Sequence, residues 1–304
     1  MFRPDSMLVL RDEDAKKALG RYFAILDKKE EARYLSCGNL SDKIKKANEI
    51  MRSCRFCERR CGVNRLNGGK GHCGVLEAKI SSEFIHWGEE PELVPSYTVF
   101  FSGCTFNCVY CQNWDISQSP DSGVYIKPET LTKMIEEQNA RNVNWVGGDP
   151  TPNLYYILQV LEKLKRNIPQ VWNSNMYLTE DSMELLDGII DVYLTDFKYG
   201  NDKCARKLSN VKNYWEIITR NHLLARKQAE IIVRHLVLPN HIECCSRPVL
   251  EWIAENLENV RVNVMDQYHP EWKAHEHKEI SGRLTDREFN EALTIARELD
   301  LNLI

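Results

Sequence analysis

Seven of the chain's eleven cysteines crowd into two short stretches, Cys54, Cys57, Cys61 and Cys73 in one and Cys104, Cys108 and Cys111 in the other. The N-terminus, MFRPDSMLVLRDEDAKK, has acids and lysines where a secretory signal needs an apolar core. Clustered thiols in such a chain read as metal ligands before disulfides. The second group constrains the fold most, because its C-x3-C-x2-C loop directly follows the strand-like run Val99-Phe100-Phe101. Three thiolates on so short a loop can wrap one face of a cubane cluster and bind three of its four irons, leaving one metal position open to a ligand. From the residues alone, a zinc knuckle completed by a distant ligand, or three structural cysteines, is the competing reading.

From residue 97 onward the chain alternates short β-branched runs with longer helical ones. Strands are expected over 98–102, 143–146, 170–173, 191–195, 230–236 and 260–265, with helices over 128–140, 154–165, 180–186, 213–227, 247–256 and 286–299. Regular alternation means parallel strands joined by crossovers, and six repeats fall short of the eight of a closed barrel. The expectation is an α/β fold, a partial (β/α)6 TIM-like barrel over residues 96–304. A helical arm over 1–50 and a small cysteine-rich metal module over 51–95 precede it. No run approaches the roughly 18 apolar residues of a membrane span, so a cytoplasmic chain with no membrane partner is expected. Forty Lys+Arg against 44 Asp+Glu, a formal charge of -4, argue against a chain that coats nucleic acid.

The segment Gly103-Cys104-Thr105-Phe106-Asn107-Cys108-Val109-Tyr110-Cys111-Gln112-Asn113 resembles the cluster motif of the radical SAM superfamily, with its aromatic before the last cysteine. More closely it is similar to the branch related to pyruvate formate-lyase activating enzymes. The resemblance implies a [4Fe-4S] cluster on Cys104, Cys108 and Cys111 that cleaves S-adenosylmethionine to methionine and a 5'-deoxyadenosyl radical, which takes hydrogen from a substrate. It also implies a flavodoxin or ferredoxin as reductant. Cofactor contacts follow at successive strand ends: Tyr110 in the loop, Gly147, Gly148 and Asp149 after the second strand, Asn173 and Asn175 after the third, Asp196 and Lys198 after the fourth, and Arg234 on the fifth. Asp149 stands where the family has Glu. His235 points away from Arg234 on strand geometry and reads as packing.

Cys54, Cys57, Cys61 and Cys73 form C-x2-C-x3-C-x11-C with a glycine-rich return, a closed four-ligand site for zinc or an iron-sulfur cluster. A similar segment precedes the cluster motif in a less characterised subgroup of activating-enzyme-like proteins. Arg52, Arg55, Arg59, Arg60, Arg65 and Lys70 surround it, as counter-charge in one reading and as a nucleic-acid contact in another. Cys37, Cys204, Cys244 and Cys245 have no partner spacing and read as ordinary thiols. An activase-like reaction on a glycyl or other protein or peptide position is the favoured function. Modification of tRNA or a small metabolite is the second, and a non-catalytic zinc or iron-sulfur binding protein the third.

Overall fold

The computed structural model describes residues 13–304, so the start of the expected arm lies outside the described residues. The six expected strands form as β2 (Ser96–Phe101), β3 (Asn142–Gly147), β4 (Gln170–Ser174), β5 (Val192–Asp196), β6 (Glu230–Leu236) and β7 (Arg261–Met265). They are parallel and lie in chain order. A seventh strand, β1 (Ile80–His86), pairs antiparallel to β2, so the stretch expected as the metal module ends in a strand of the barrel sheet. The sheet is open, with β1 and β7 at its two ends. The fold is therefore the expected partial α/β barrel.

Crossover helices cover the outside: α5 (Pro128–Glu137), α6 (Leu154–Lys163), α7 (Glu180–Leu186), α8 (Asp202–Ser209), α9 (Tyr214–Gln228), α10 (Arg247–Asn256) and α11 (Asp286–Glu298). Local sequence sets their ends. Pro128 opens α5, Thr179 accepts the Ser182 N–H at the start of α7, and Thr285 with Glu288 forms a capping box on α11. Helix α3 (Leu40–Arg52) precedes the first cysteine group, and a short helix, α4 (Trp114–Ser117), closes the cysteine loop.

Side chains alternate along each strand, and the inward set changes chemistry from one end to the other. At the N-terminal end Val171, Val192, Leu194 and Ile232 are buried in one cluster with Leu19, Tyr22, Phe23 and Leu93. The first three of that second group lie on or beside helices α1 (Glu13–Ala18) and α2 (Gly20–Leu26), so the arm plugs the barrel floor. Two residues further along the same faces come Asn173, Asp196 and Arg234, which are polar. The period-2 pattern thus separates an apolar plug from a polar mouth at the carboxyl ends of the strands, where barrel enzymes place their sites.

The gap between the sheet's two ends is crossed by the connection from β1 to β2. Arg261 on β7 donates to Glu92 at 2.9 Å, and Asn263 donates to Glu90 at 3.0 Å. The arm is tied to the floor by Asp191, which accepts the backbone N–H of Arg33 at 3.0 Å and of Gln170 at 2.8 Å. Burial pushes its carboxyl up to about 6. Asp191→Ala leaves both buried donors unpaired and is expected to cost about 2–4 kcal/mol. A carboxyl that binds its proton more tightly in the folded chain stabilises the wild type as pH falls from about 6 toward 4. The stability gap to the variant should therefore widen over that range in denaturant titrations, and a constant gap would contradict the assignment.

Candidate active site

The cysteine loop leaves β2 through Gly103, whose φ is +87°. A Cβ there would sit 2.3 Å from Val75 Cγ2, so only glycine lets the loop turn against residues 73–75. Cys104 and Cys108 are buried and Cys111 half-buried, and all three line a cavity of about 560 Å³ at the barrel mouth. Each sulfur has a polar neighbour. The Phe106 N–H donates to Cys104 at 3.3 Å, Ser209 Oγ donates to Cys108 at 2.9 Å, and Ser117 Oγ lies 3.2 Å from Cys111. Asn175 Nδ2 is 3.8 Å from Cys104 Sγ. Burial pushes the Cys104 thiol well above its ordinary range and Cys108 up to about 12, with the neighbouring thiols adding to both. Metal binding must therefore expel protons, and donors aimed at sulfur favour the thiolate that binds iron. Three converging thiols of this kind fit one face of a cubane cluster.

Gly147 ends β3 and Gly148 follows it, and the chain itself crowds both positions. A Cβ on Gly147 would lie 2.1 Å from Phe101 N, and one on Gly148 would lie 2.3 Å from Gly103 O. The crowding comes from β2 and the cysteine loop themselves. Asp149 beside them accepts from Thr151 N at 2.9 Å, Ser174 Oγ at 3.0 Å and Asn175 N at 3.1 Å. Burial raises its carboxyl pKa although these bonds oppose the rise. With both oxygens engaged by the chain, Asp149 shapes the end of β4 while still lining the cavity.

Asp196, Lys198 and Arg234 meet at the mouth. Lys198 Nζ lies 2.9 Å from Asp196, and Arg234 reaches Asp196 at 2.9 Å and Asn173 at 2.5 Å. Burial works against the Asp196 charge, but Arg234 and Lys198 outweigh it and hold the carboxyl below its usual range. Two acids that the sequence gave no signal for complete the group. Glu89, 3.4 Å from Arg234, and Glu90 both line the cavity from the β1–β2 connection. Burial raises the Glu90 carboxyl, and its Oε2 has no partner among protein atoms, so it could receive a cationic or N–H group of a ligand. Tyr110 directs its hydroxyl to Tyr199 at 2.7 Å, and Tyr199 meets Ser209 at 2.5 Å, which continues to Cys108. His235 is packing as expected: it is buried between Phe197 O at 2.8 Å and Ser246 Oγ at 2.9 Å, and burial lowers its pKa to about 4.

Ser209, at the last turn of α8, is a residue that the sequence reading missed. Outer-shell donors of this kind are worth about 10–100-fold in metal affinity or activity. Ser209→Ala should speed iron loss to a chelator about tenfold or more, followed by visible absorbance, and an unchanged rate would remove Ser209 from the site.

The second cysteine group folds back on itself. Cys54 N–H donates to Val63 O and Gly62 N–H to Cys54 O, each at 2.9 Å. Burial pushes the Cys57 thiol up, and the nearby thiols of Cys73, Cys54 and Cys61 push it further. The His72 N–H donates to Cys61 at 3.3 Å, while backbone bonds from Arg59 and Val75 oppose the rise at Cys57 and Cys73. Both donors lie two residues beyond their cysteine, as Phe106 lies beyond Cys104, so the two groups share one local design. They also touch: Arg59 donates to Thr105 O at 3.0 Å, and His72 meets Asn107 at 3.0 Å.

The sequence model of the Radical SAM superfamily matches residues 98–253, the span from β2 through the cysteine loop to α10. The chain belongs to the radical SAM superfamily, and that family implies a [4Fe-4S] cluster and S-adenosylmethionine at such a site. A relative from Methanocaldococcus jannaschii, described as uncharacterized, is 52% identical over 275 residues, which is 88% of this chain and 81% of that one. A second uncharacterized protein of that organism is 24% identical over 244 residues, 72% of this chain and 71% of its own. Among solved structures, methylornithine synthase aligns with 93% of this chain and 84% of its own at 12% identity and a TM-score of 0.47. Streptococcus suis SuiB bound to the precursor peptide SuiA aligns with 66% of this chain at 14% identity and a TM-score of 0.46. The match spans 46% of SuiB, about half its length. Among the described residues no helix is long and apolar enough to cross a membrane.

Proposed function

We infer that this radical SAM enzyme acts on a polypeptide, abstracting hydrogen from a glycyl or other peptide position in an activase-like reaction. Bound on Cys104, Cys108 and Cys111, a reduced [4Fe-4S] cluster, fed by a flavodoxin or ferredoxin, would supply the electron that cleaves S-adenosylmethionine. The chain's own residues do the rest. Ser209, Phe106 and Asn175 steady the sulfurs, and the buried Asp196, Lys198 and Arg234 hold charge fixed at the mouth. Glu90 offers its unpaired oxygen to the bound ligand.

The observation that carries the polypeptide reading over tRNA is the state of the basic cluster around the second site. Arg55 pairs with Asp181 at 2.8 Å, Arg60 with Glu58 at 2.6 Å and Lys70 with Asp121 at 3.0 Å. Arg65 is buried against Pro152 O at 2.7 Å, and Arg59 is spent on Thr105. Cations paired within the chain, five of the six around this site with the exposed Arg52 apart, are less free to neutralise phosphates. The cavity rim offers a different surface: Trp87 and Trp114, next to the lining residues Gly88 and Asn113, are 56% and 42% exposed. Exposed aromatics at a rim suit peptide contact.

The second cysteine group, zinc- or iron-sulfur-bound, abuts the cluster loop, which supports a relay role if it holds iron. The test is anaerobic. Reconstituted protein is given S-adenosylmethionine and a reductant together with polypeptide, RNA or small-molecule fractions of a cell extract, and 5'-deoxyadenosine is counted. Stimulation by the protease-sensitive fraction is expected, whereas stimulation by the ribonuclease-sensitive or small-molecule fraction would replace this reading. Absence of the nucleoside from protein with an intact cluster under all three conditions would favour the binding-protein reading.

A further inference from the structure

Away from the cavity, the fold gathers three soft ligands that are far apart in the chain. Cys204 lies in the first turn of α8, and His241 and Cys244 lie in the turn that follows β6, with residues Ile242–Ser246 wound as a π-helix ahead of α10. One ligand atom from each lies within 4.8 Å of the others. None of the three lines the active-site cavity. We propose that Cys204, His241 and Cys244 form a binding site for a thiophilic d10 divalent cation, Zn2+, separate from both cysteine groups described above.

Three observations carry the assignment. First, Cys204 Sγ and Cys244 Sγ are 3.9 Å apart, and a tetrahedral ion with metal–sulfur bonds of about 2.3 Å places its sulfurs about 3.8 Å apart. A disulfide would need about 2.05 Å. Second, His241 Nδ1 lies 2.7 Å from Pro239 O. A carbonyl only accepts, so Nδ1 carries the hydrogen and Nε2 keeps the lone pair, the arrangement that metal-ligating histidines show when a backbone carbonyl orients them. Third, the two segments are locked together at the backbone. Asn201 Nδ2 donates to Cys244 O at 2.7 Å while Asn201 Oδ1 accepts the Cys204 N–H at 2.8 Å. A Cβ on Gly200 would lie 2.7 Å from Cys244 O and 3.0 Å from Cys245 Cα, so glycine is what lets the two turns close. The π-helical turn is itself a form frequent at functional sites.

Two thiolates and an imidazole are a zinc donor set. Cys244 is exposed, and Cys245 Sγ lies 3.9 Å from its sulfur. The ion would clamp the loop after β5 to the loop after β6 and steady α8, whose far end carries Ser209 to the Cys108 sulfur.

The test counts metal in anaerobically purified full-length protein. Cys204→Ser/Cys244→Ser should hold one zinc fewer per chain than wild type, with iron and sulfide unchanged. Equal zinc in the two proteins would overturn the site, as would a Cys204–Cys244 disulfide found by peptide mass spectrometry in the anaerobic wild type. A second measurement needs no variant. Zn2+ in excess of all the cysteine sites should slow iodoacetamide labelling of Cys204 and Cys244 at least tenfold in metal-stripped wild type, and a chelator should restore it. Labelling at the same rate with and without zinc would also overturn the site.

Discussion

Cys108→Ala is expected to empty the catalytic cluster site, with roughly four irons per chain lost, while the metal proposed for Cys54, Cys57, Cys61 and Cys73 stays bound. Cys108 is buried, takes the Ser209 hydroxyl hydrogen at 2.9 Å and shares its surroundings with Cys111. Its loss leaves a cubane face with two thiolates and strands a buried donor. The second group has its own four thiols and its own N–H donors, and nothing in it depends on Cys108. Formation of 5'-deoxyadenosine should fall to the level of cluster-free protein. Iron, sulfide and zinc analysis with quantification of the nucleoside checks the result. Departure of both metals from a variant that melts at the wild-type temperature would show that the touching loops form one site, not two.

How much of this was readable beforehand depends on the element. The parallel strands announced themselves because both their faces are largely buried, so they carry short apolar runs such as Ile231-Ile232-Val233 in β6. Strand β1, ISSEFIH, alternates polar residues as an edge strand with one exposed face does, and it hid within a stretch dominated by cysteines. Helix α8, DKCARKLS, is short and polar, and with it went Ser209. The motif residues of the cavity stand at strand ends, so strand assignment placed them together. Glu89 and Glu90 belong to a run, GEEPE, that resembles solvated loop, and only the crossing of that loop to β7 turns it inward. Cys204 and Cys244 are separated by 40 positions and a whole βα unit. No local spacing rule reaches that far, since the contact is made by topology. The partners of Asp149 were hidden for a related reason: a motif names a residue, but Thr151, Ser174 and Asn175 reach it only through folding.

Arg234→Ala is expected to damage the chain more than loss of one cofactor contact would. The guanidinium serves Asp196 at 2.9 Å, Glu89 at 3.4 Å and Asn173 at 2.5 Å, and the buried Glu90 feels its charge. Removing it leaves Asp196 with Lys198 alone and takes the counter-charge from Glu89 and Glu90. Breaking a buried ion pair by deleting one partner costs about 3–5 kcal/mol, a fall in Tm of roughly 5–8 °C at this chain length. The sign with pH follows from the two acids. In the wild type Arg234 and Lys198 overcome burial to hold Asp196 below the carboxylate range, so its stabilisation is present at neutral pH and lost only in strong acid. Without Arg234 burial dominates, and Asp196 joins Glu90 on the raised side, where charge is a cost that protonation relieves. The difference in Tm should be largest near pH 7 and shrink toward pH 4–5. Arg234→Lys should recover part of the stability but not the planar reach to Asn173 and Glu89, so it should melt between the two while still failing in S-adenosylmethionine cleavage. A variant that melts with the wild type at pH 7 would show that these carboxylates are not held by Arg234, and the cavity's charge would then have to be balanced by the bound ligand itself.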